Sequence, residues 1–180
     1  CTGGRYILDK DAYPRGHDQG PRTDIEVNHM LAHHLTIPAE NKPGMLARIT
    51  SLLAKEKINL RAISISSFGD HGFFNLIVDE PKRAFKLLTK EGLSVELKEV
   101  VAVLIDDHPG GLDGLVQILA AEKINVENAY GFVLESWKRA VFVIDLDQME
   151  KTQRVLEAAG FETLSAQALS NAEPFHYMKY

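Results

Sequence analysis

At 180 residues, with 45% hydrophobic and 25% charged side chains, the chain has the composition of an ordinary soluble globular protein of one or two domains. Its net charge of −5 and sequence pI ≈ 5.8 argue against a protein that works by neutralising phosphates, so no nucleic-acid partner is expected. The longest apolar runs, such as Val100 to Ile105, fall far short of the roughly 20 residues needed to cross a bilayer, so no membrane partner is expected either.

In chain order, residues 1–30 read as an irregular N-terminal extension. Gly3-Gly4, Pro14-Arg15-Gly16 and Gly20-Pro21 break any apolar period, and neither a signal nor a transit peptide is visible. His29-Met30 reads either as a downstream start or as a cloning junction. The single cysteine, Cys1, has no internal disulfide partner, which fits a reducing cytoplasm and a cytoplasmic location. His33 to Ile37 alternates and is stopped by Pro38, which predicts a strand with His33, Leu35 and Ile37 on one face. After Pro43-Gly44, Met45, Leu46, Ile49, Leu52 and Leu53 fall at helical spacing and predict a helix of about four turns. Asn59 to Ser67, a turn at Gly69 to Gly72 and Phe73 to Val78 predict a β-hairpin. Pro81 opens a second helix that buries Ala84, Phe85, Leu87 and Leu88 and ends near Gly92, and Leu93 to Val100 forms a fourth strand.

The same order then repeats. Val101 to Ile105 predicts a strand, Gly111 to Glu122 a helix, and Val126 to Leu134 with Val141 to Ile144 a hairpin around Ser136 to Lys138. Gln148 to Ala159 predicts a helix ended by Gly160, and Phe161 to Ala168 the last strand. A short tail from residue 170 to 180 carries Phe175, Tyr177 and Tyr180 and gets no functional weight. The repetition is visible residue by residue. Pro43 to Asn59 and Pro109 to Asn125, 66 residues apart, are identical at nine of 17 positions. A duplicated βαββαβ unit is the simplest cause. It predicts an α+β fold of two ferredoxin-like units, residues 31–99 and 100–169, with antiparallel sheets packed side by side. Two such units usually pack about a pseudo-twofold axis, which would bring like loops to a shared seam.

Glu40 to Leu46 followed by Lys57-Ile58-Asn59-Leu60 resembles an ACT domain, the small regulatory module that binds amino acids. Asp106 to Leu112 followed by Lys123-Ile124-Asn125-Val126 resembles a second. Together they cover Leu31 to about Leu169, in an order similar to stand-alone tandem ACT proteins. By that resemblance Asn41 and Asn59 contact the ligand, matched by Asp107 and Asn125. The carboxylate at Asp107 makes the two half-sites unequal. Gly44 and Gly110 would admit a carboxylate to the free N–H groups of a helix start. Met45, Leu46, Gly111 and Leu112 would wall the side-chain pocket, with Leu60 and Val126 beside the strand-two asparagines. The same residues carry plainer readings. Asn41 and Asp107 are good helix N-caps, Gly44 and Gly110 suit a turn, and Asn59 and Asn125 suit a helix C-terminal cap.

His33, His34 and His71 have no partners at metal spacing, so no metal or other cofactor is expected and packed or solvated histidines are. Trp137 either covers an interface or caps the core edge. No nucleophile has a partner base, and Asp106 and Asp107 point to opposite faces of a strand, so the chain is not expected to be an enzyme. The expected function is non-catalytic regulation in amino acid metabolism: a small amino acid binds at the interface of two ACT domains and rearranges domains or oligomers. Open strand edges favour a homodimer, and an amino-acid-metabolism enzyme is a possible partner. One alternative is the small regulatory subunit of an enzyme such as acetolactate synthase. A remoter one is RRM-like RNA binding, against which the adjacent rings of Phe73-Phe74 and the missing glycine at Lys138 to Phe142 both count.

Overall fold

The computed structural model describes residues 31–171. Strand β1 (Ala32–Glu40) leads to helix α1 (Met45–Lys55), the hairpin β2 (Leu60–Phe68) and β3 (His71–Val78), and helix α2 (Pro81–Lys90). Strand β4 (Glu96–Asp106) follows, then α3 (Gly111–Ala121), the hairpin β5 (Asn128–Glu135) and β6 (Arg139–Asp145), α4 (Met149–Ala158), β7 (Glu162–Leu164) and α5 (Ala166–Asn171). This is the expected α+β duplication of a ferredoxin-like unit. Three details depart from the sequence reading. Helix α1 has 11 residues, about three turns rather than four. The two strands expected at residues 93–105 are one continuous strand, β4, so seven strands replace the expected eight among the described residues. The last strand keeps only Glu162–Leu164, because the Ser165 hydroxyl accepts the Ala168 N–H at 3.1 Å and starts α5 instead.

Strand β4 joins the two units. Its first half pairs antiparallel with β1 from Val100 opposite Ala32 to Glu96 opposite Thr36, and its second half pairs with β6 and β7. The strand order is β2-β3-β1-β4-β6-β5, with β7 also on β4. Alternate residues of β4 therefore serve different cores. Leu97 packs on the helix-side core of the first unit with Leu35, Ile37, Ile49, Leu53 and Leu88. Val101 and Val103 enter the corresponding core of the second with Leu115, Leu119, Ile144 and Leu156. Val100 and Ala102 point the other way, into a third core with Ala32, Ile77, Val141, Val143 and Leu169. Each fully buried leucine or isoleucine contributes about 1.5–3 kcal/mol by leaving water.

The third core exists because the sheet curls. His34 on β1 and Tyr130 on β5 are three strand steps apart, about 14 Å in a flat sheet. Yet His34 Nδ1 lies 3.2 Å from the Tyr130 hydroxyl, so the face away from the helices has folded in on itself.

Four helices end alike. The N–H groups of Ile58, Leu93, Ile124 and Phe161 each reach back to a leucine carbonyl, those of Leu53, Leu88, Leu119 and Leu156, at 2.9 to 3.1 Å. This is the Schellman closure, and it needs a left-handed residue just before the apolar one. Glycine fills that place at Gly92 and Gly160, but Lys57 (φ 58°) and Lys123 (φ 57°) fill it in α1 and α3. A lysine there strains its Cβ against the backbone. Lys57→Gly and Lys123→Gly are each expected to raise unfolding stability by about 0.5–1 kcal/mol, read as a higher midpoint in urea at unchanged slope.

Candidate functional site

The loops before α1 and α3 are built alike. Gly44 (φ 91°) and Gly110 (φ 95°) take left-handed conformations at the helix starts, which accounts for glycine at both. Among the described residues a Cβ at either would meet nothing within 4 Å, so they leave the space beside both turns open. Asn41 and Asp107 are not N-caps, since Gly44 and Gly110 hold that position and neither helix has a side-chain cap bond. Both instead clasp the neighbouring hairpin. The Asn41 amide donates to the Gly69 carbonyl at 3.2 Å, and its N–H donates to the Asp70 carbonyl at 2.8 Å. The Asp107 carboxylate accepts the Trp137 N–H at 2.7 Å, while its own N–H donates to the Lys138 carbonyl. The exchange of amide for carboxylate reverses the side chain from donor to acceptor, which matches the polarity of each hairpin. Trp137 is left-handed and 80% exposed at that hairpin tip, so it does not cap the core edge.

An acid–base pair straddles each loop. Lys42 Nζ lies 2.6 Å from Glu40, and this bond holds the Glu40 carboxyl below its usual range. At the matching positions His108 Nε2 lies 3.7 Å from Asp106.

Asn59 and Asn125 stand elsewhere. Asn59 enters β2 and donates its N–H to Asp79 at 2.9 Å, at the end of the unit opposite the hairpin that Asn41 clasps. The nine residues of β2 separate those ends, about 30 Å of strand. Lys57 and Lys123, rather than Asn59 and Asn125, are the left-handed helix-closing residues. Both asparagines are exposed, as are Leu46 (39%), Leu112 (40%) and Val126 (36%), while Met45, Leu60 and Gly111 are half-buried.

The two loops do not face each other within the chain. Asn41 to Gly44 follow β1, whose C-terminal end lies beyond Glu96 at the start of β4, and Asp107 to Gly110 follow the other end of β4. More than about 30 Å of strand separates them. The intrachain seam is the third core, which holds no expected site residue. Periodicity gave the strands but not their spatial order, so the expectation of facing loops fails on the antiparallel pairing of β1 with β4.

What the seam does hold, the sequence reading left as an ordinary packed histidine. His34 is fully buried, with Nε2 3.1 Å from the Thr36 hydroxyl. That hydroxyl donates to Asn75 Oδ1 at 2.9 Å, so its one proton is committed and His34 Nε2 must donate to it. Nδ1 is then the acceptor, and the Tyr130 hydroxyl donates to it. The result is a one-way chain from Tyr130 through His34 and Thr36 to Asn75. Burial lowers the His34 pKa to about 4, against a smaller opposing pull from Asp145. Burial pushes the Tyr130 hydroxyl up. His33 is half-buried and His71 exposed, and no group of three metal-ligating side chains occurs among the described residues.

Residues 30–172 match the family model described as an ACT domain pair. The chain belongs to that family. Among solved structures, this ACT pair is similar to a protein from Bacteroides thetaiotaomicron at 35% identity and TM-score 0.75, covering 80% of this chain and 99% of that one. The regulatory subunit of aspartate kinase from Thermus thermophilus shares the fold at 19% identity and TM-score 0.53, with 74% and 95% coverage. A structure of aspartokinase alpha and beta subunits does so at 22% identity and TM-score 0.52, with 71% and 91% coverage. No curated protein sequence matches this ACT pair. Among its described residues no helix is long and apolar enough to cross a membrane.

Proposed function

We propose that this ACT pair is a non-catalytic, cytoplasmic regulator that binds a small amino acid between ACT units of two copies. One observation carries the reading. In each unit the loop residues (Asn41 and Gly44, or Asp107 and Gly110) and the strand-entry asparagine (Asn59 or Asn125) sit at opposite ends of an open edge strand. They converge only when a second edge strand pairs antiparallel alongside. Among the described residues strands β2 and β5 are both free edges, and the helix-side flank of each carries exposed apolar groups: Leu46, Ile63 and Ile65 (52%) on one, Leu112, Val116, Val126 and Val133 (49%) on the other. Pairing β2 of one copy with β5 of the other uses both edges and closes a twofold dimer. Each site then takes its loop from one copy and its asparagine from the other, with Met45 and Leu46 beside Val126 in one, and Gly111 and Leu112 beside Leu60 in the other. Binding strengthens the dimer, and an enzyme of amino acid metabolism is the class of partner that would read the change.

A thermal-shift screen of the twenty amino acids tests the first step. A ligand at a hundredfold excess over its Kd should raise the midpoint by about 5–10 °C. Sedimentation equilibrium tests the second. The ligand should tighten the dimer, and Asn59→Ala combined with Asn125→Ala should remove that tightening. A wild-type chain that stays monomeric with every amino acid would overturn the reading.

A further inference from the structure

The two hairpin tips differ at one matched residue. In the first unit the Asn41 N–H reaches the Asp70 carbonyl, and in the second the Asp107 N–H reaches that of Lys138, so Gly69 and Trp137, each one residue earlier, are counterparts. Both are left-handed, at φ 61°. Glycine takes that conformation freely, whereas a bulky side chain is strained in it. Burial does not offset the strain, because Trp137 is 80% exposed and, among the described residues, its ring contacts no other ring. The bond it makes to Asp107 comes from its backbone N–H, which glycine would supply as well. The fold of one copy therefore gives no reason for a tryptophan at this tip.

At the other free edge stands a cation that the fold also leaves unused. Arg61 is the extra residue of a β-bulge near the start of β2, between Leu60, opposite Val78, and Ala62, opposite Ile77. Among the described residues its Nε is closed off from water without a hydrogen-bond partner and its side chain forms no ion pair, in contrast to Arg83 and Arg154. A half-buried guanidinium that has already shed part of its hydration is suited to stacking on the face of an indole. Within one chain the two residues belong to opposite edges of the sheet. Between copies they meet. Strand β2 has nine residues and β5 eight, so antiparallel pairing along their length sets the β5–β6 tip of one copy at the Leu60–Arg61 end of β2 in the other. The opposite tip carries Phe68, 92% exposed, but the residue that matches Arg61 at the start of β5 is Glu127, whose charge the face of a ring repels.

We infer that Trp137 anchors one copy of this chain on a second, its indole lying on the Arg61 guanidinium of that copy. The twofold gives two such contacts in each dimer. The inference rests on the pairing of β2 with β5 proposed above, and it adds a contact that holds the copies together whichever ligand is bound.

Trp137 is the one tryptophan of the chain, so tryptophan emission reports this residue alone. The full chain is followed by emission and by sedimentation equilibrium across a dilution series, with and without each of the twenty amino acids. As the dimer forms, wild-type emission should shift to the blue and acrylamide should quench it less. Arg61→Gln should weaken the dimer at least tenfold. Trp137→Gly should do the same while raising the urea midpoint of the dilute monomer, since glycine relieves the left-handed strain. The double variant should dimerise no more weakly than either single one. A dimer of wild-type strength in both variants, or one whose tryptophan stays exposed, overturns the inference and leaves the edge pairing standing. Weakening in only one variant, or losses that add in the double variant, would set the ring on something other than Arg61 and overturn it too. A wild-type chain that stays monomeric throughout sinks both readings.

Discussion

Gly111→Ala is expected to destabilise the protein by about 3 kcal/mol, lowering the thermal midpoint by roughly 10 °C. A Cβ at Gly111 would stand 2.1 Å from the Asp106 carbonyl oxygen and 3.2 Å from its carbon. Both are backbone, so no rotamer change relieves the clash, and the helix start must move off the end of β4. The first unit carries Met45 at the same place, so its loop shows what room a side chain needs. Met45 N–H lies 3.4 Å from the Lys42 carbonyl, whereas Gly111 N–H lies 3.0 Å from that of His108, a tighter turn. Gly114→Ala, one turn on in the same helix, is the matched control. With no left-handed backbone to satisfy, it should instead stabilise the fold by about 1 kcal/mol. Denaturant unfolding of the two single variants checks both signs, and equal effects would mean the close approach at Gly111 is not tight.

The second large effect is acid lability centred on His34. Its folded-state pKa of about 4 lies below the ordinary 6.5, so between those values the unfolded chain binds a proton that the folded chain refuses. The stabilisation is full above about pH 6.5 and is lost as pH falls towards 4. A shift of that size corresponds to about 3 kcal/mol. Burial sets the direction, since a charged imidazole would lose its water in the seam. Asp145 pulls the other way, Lys98, 3.4 Å from Asp145, adds a smaller push against a second cation, and Tyr130 donates to Nδ1, the atom a proton must reach. His34→Gln keeps polar atoms in the seam and removes the titration. The wild-type chain should therefore lose about 3 kcal/mol relative to this variant between pH 7 and pH 4, measured by urea unfolding at each pH. Parallel profiles would show that the histidine is not held neutral.

Much of the fold was legible in residues 31–171 because it rests on local chemistry. The apolar period of Met45, Ile49, Leu52 and Leu53, the proline at the start of α2, and the recurrence of Pro-Gly and Lys-Ile-Asn each act within a few residues of chain. The functional residues were less legible. Asn41 and Asp107 read as helix caps, and nothing short-range distinguishes a cap from a clasp on a hairpin some 30 residues downstream. Asn59 looked like a partner of Asn41 because both flank α1, but an 11-residue helix carries the chain to the far end of the unit. Gly111 in place of Met45 was visible as a mismatch in the repeat, but that its Cβ position is filled by the Asp106 carbonyl shows only in the folded loop. His34 read as no more than a packed or solvated histidine because Asn75, which fixes its tautomer through Thr36, and Tyr130, 96 residues on, are both remote in the chain.

By itself the sequence determined the repeated unit, its element order and the chemistry of its turns, since these follow from periodicity and from the conformational limits of single residues. Only the tertiary structure decided that β4 is one strand with a unit on each half, and that the two loops therefore lie at opposite ends. It also decided that the sheet folds inward over His34 and Tyr130. Strand order and sheet curl are set by which distant faces best exclude water and satisfy each other's hydrogen bonds. That is a property of the whole chain and is written in no single stretch of it.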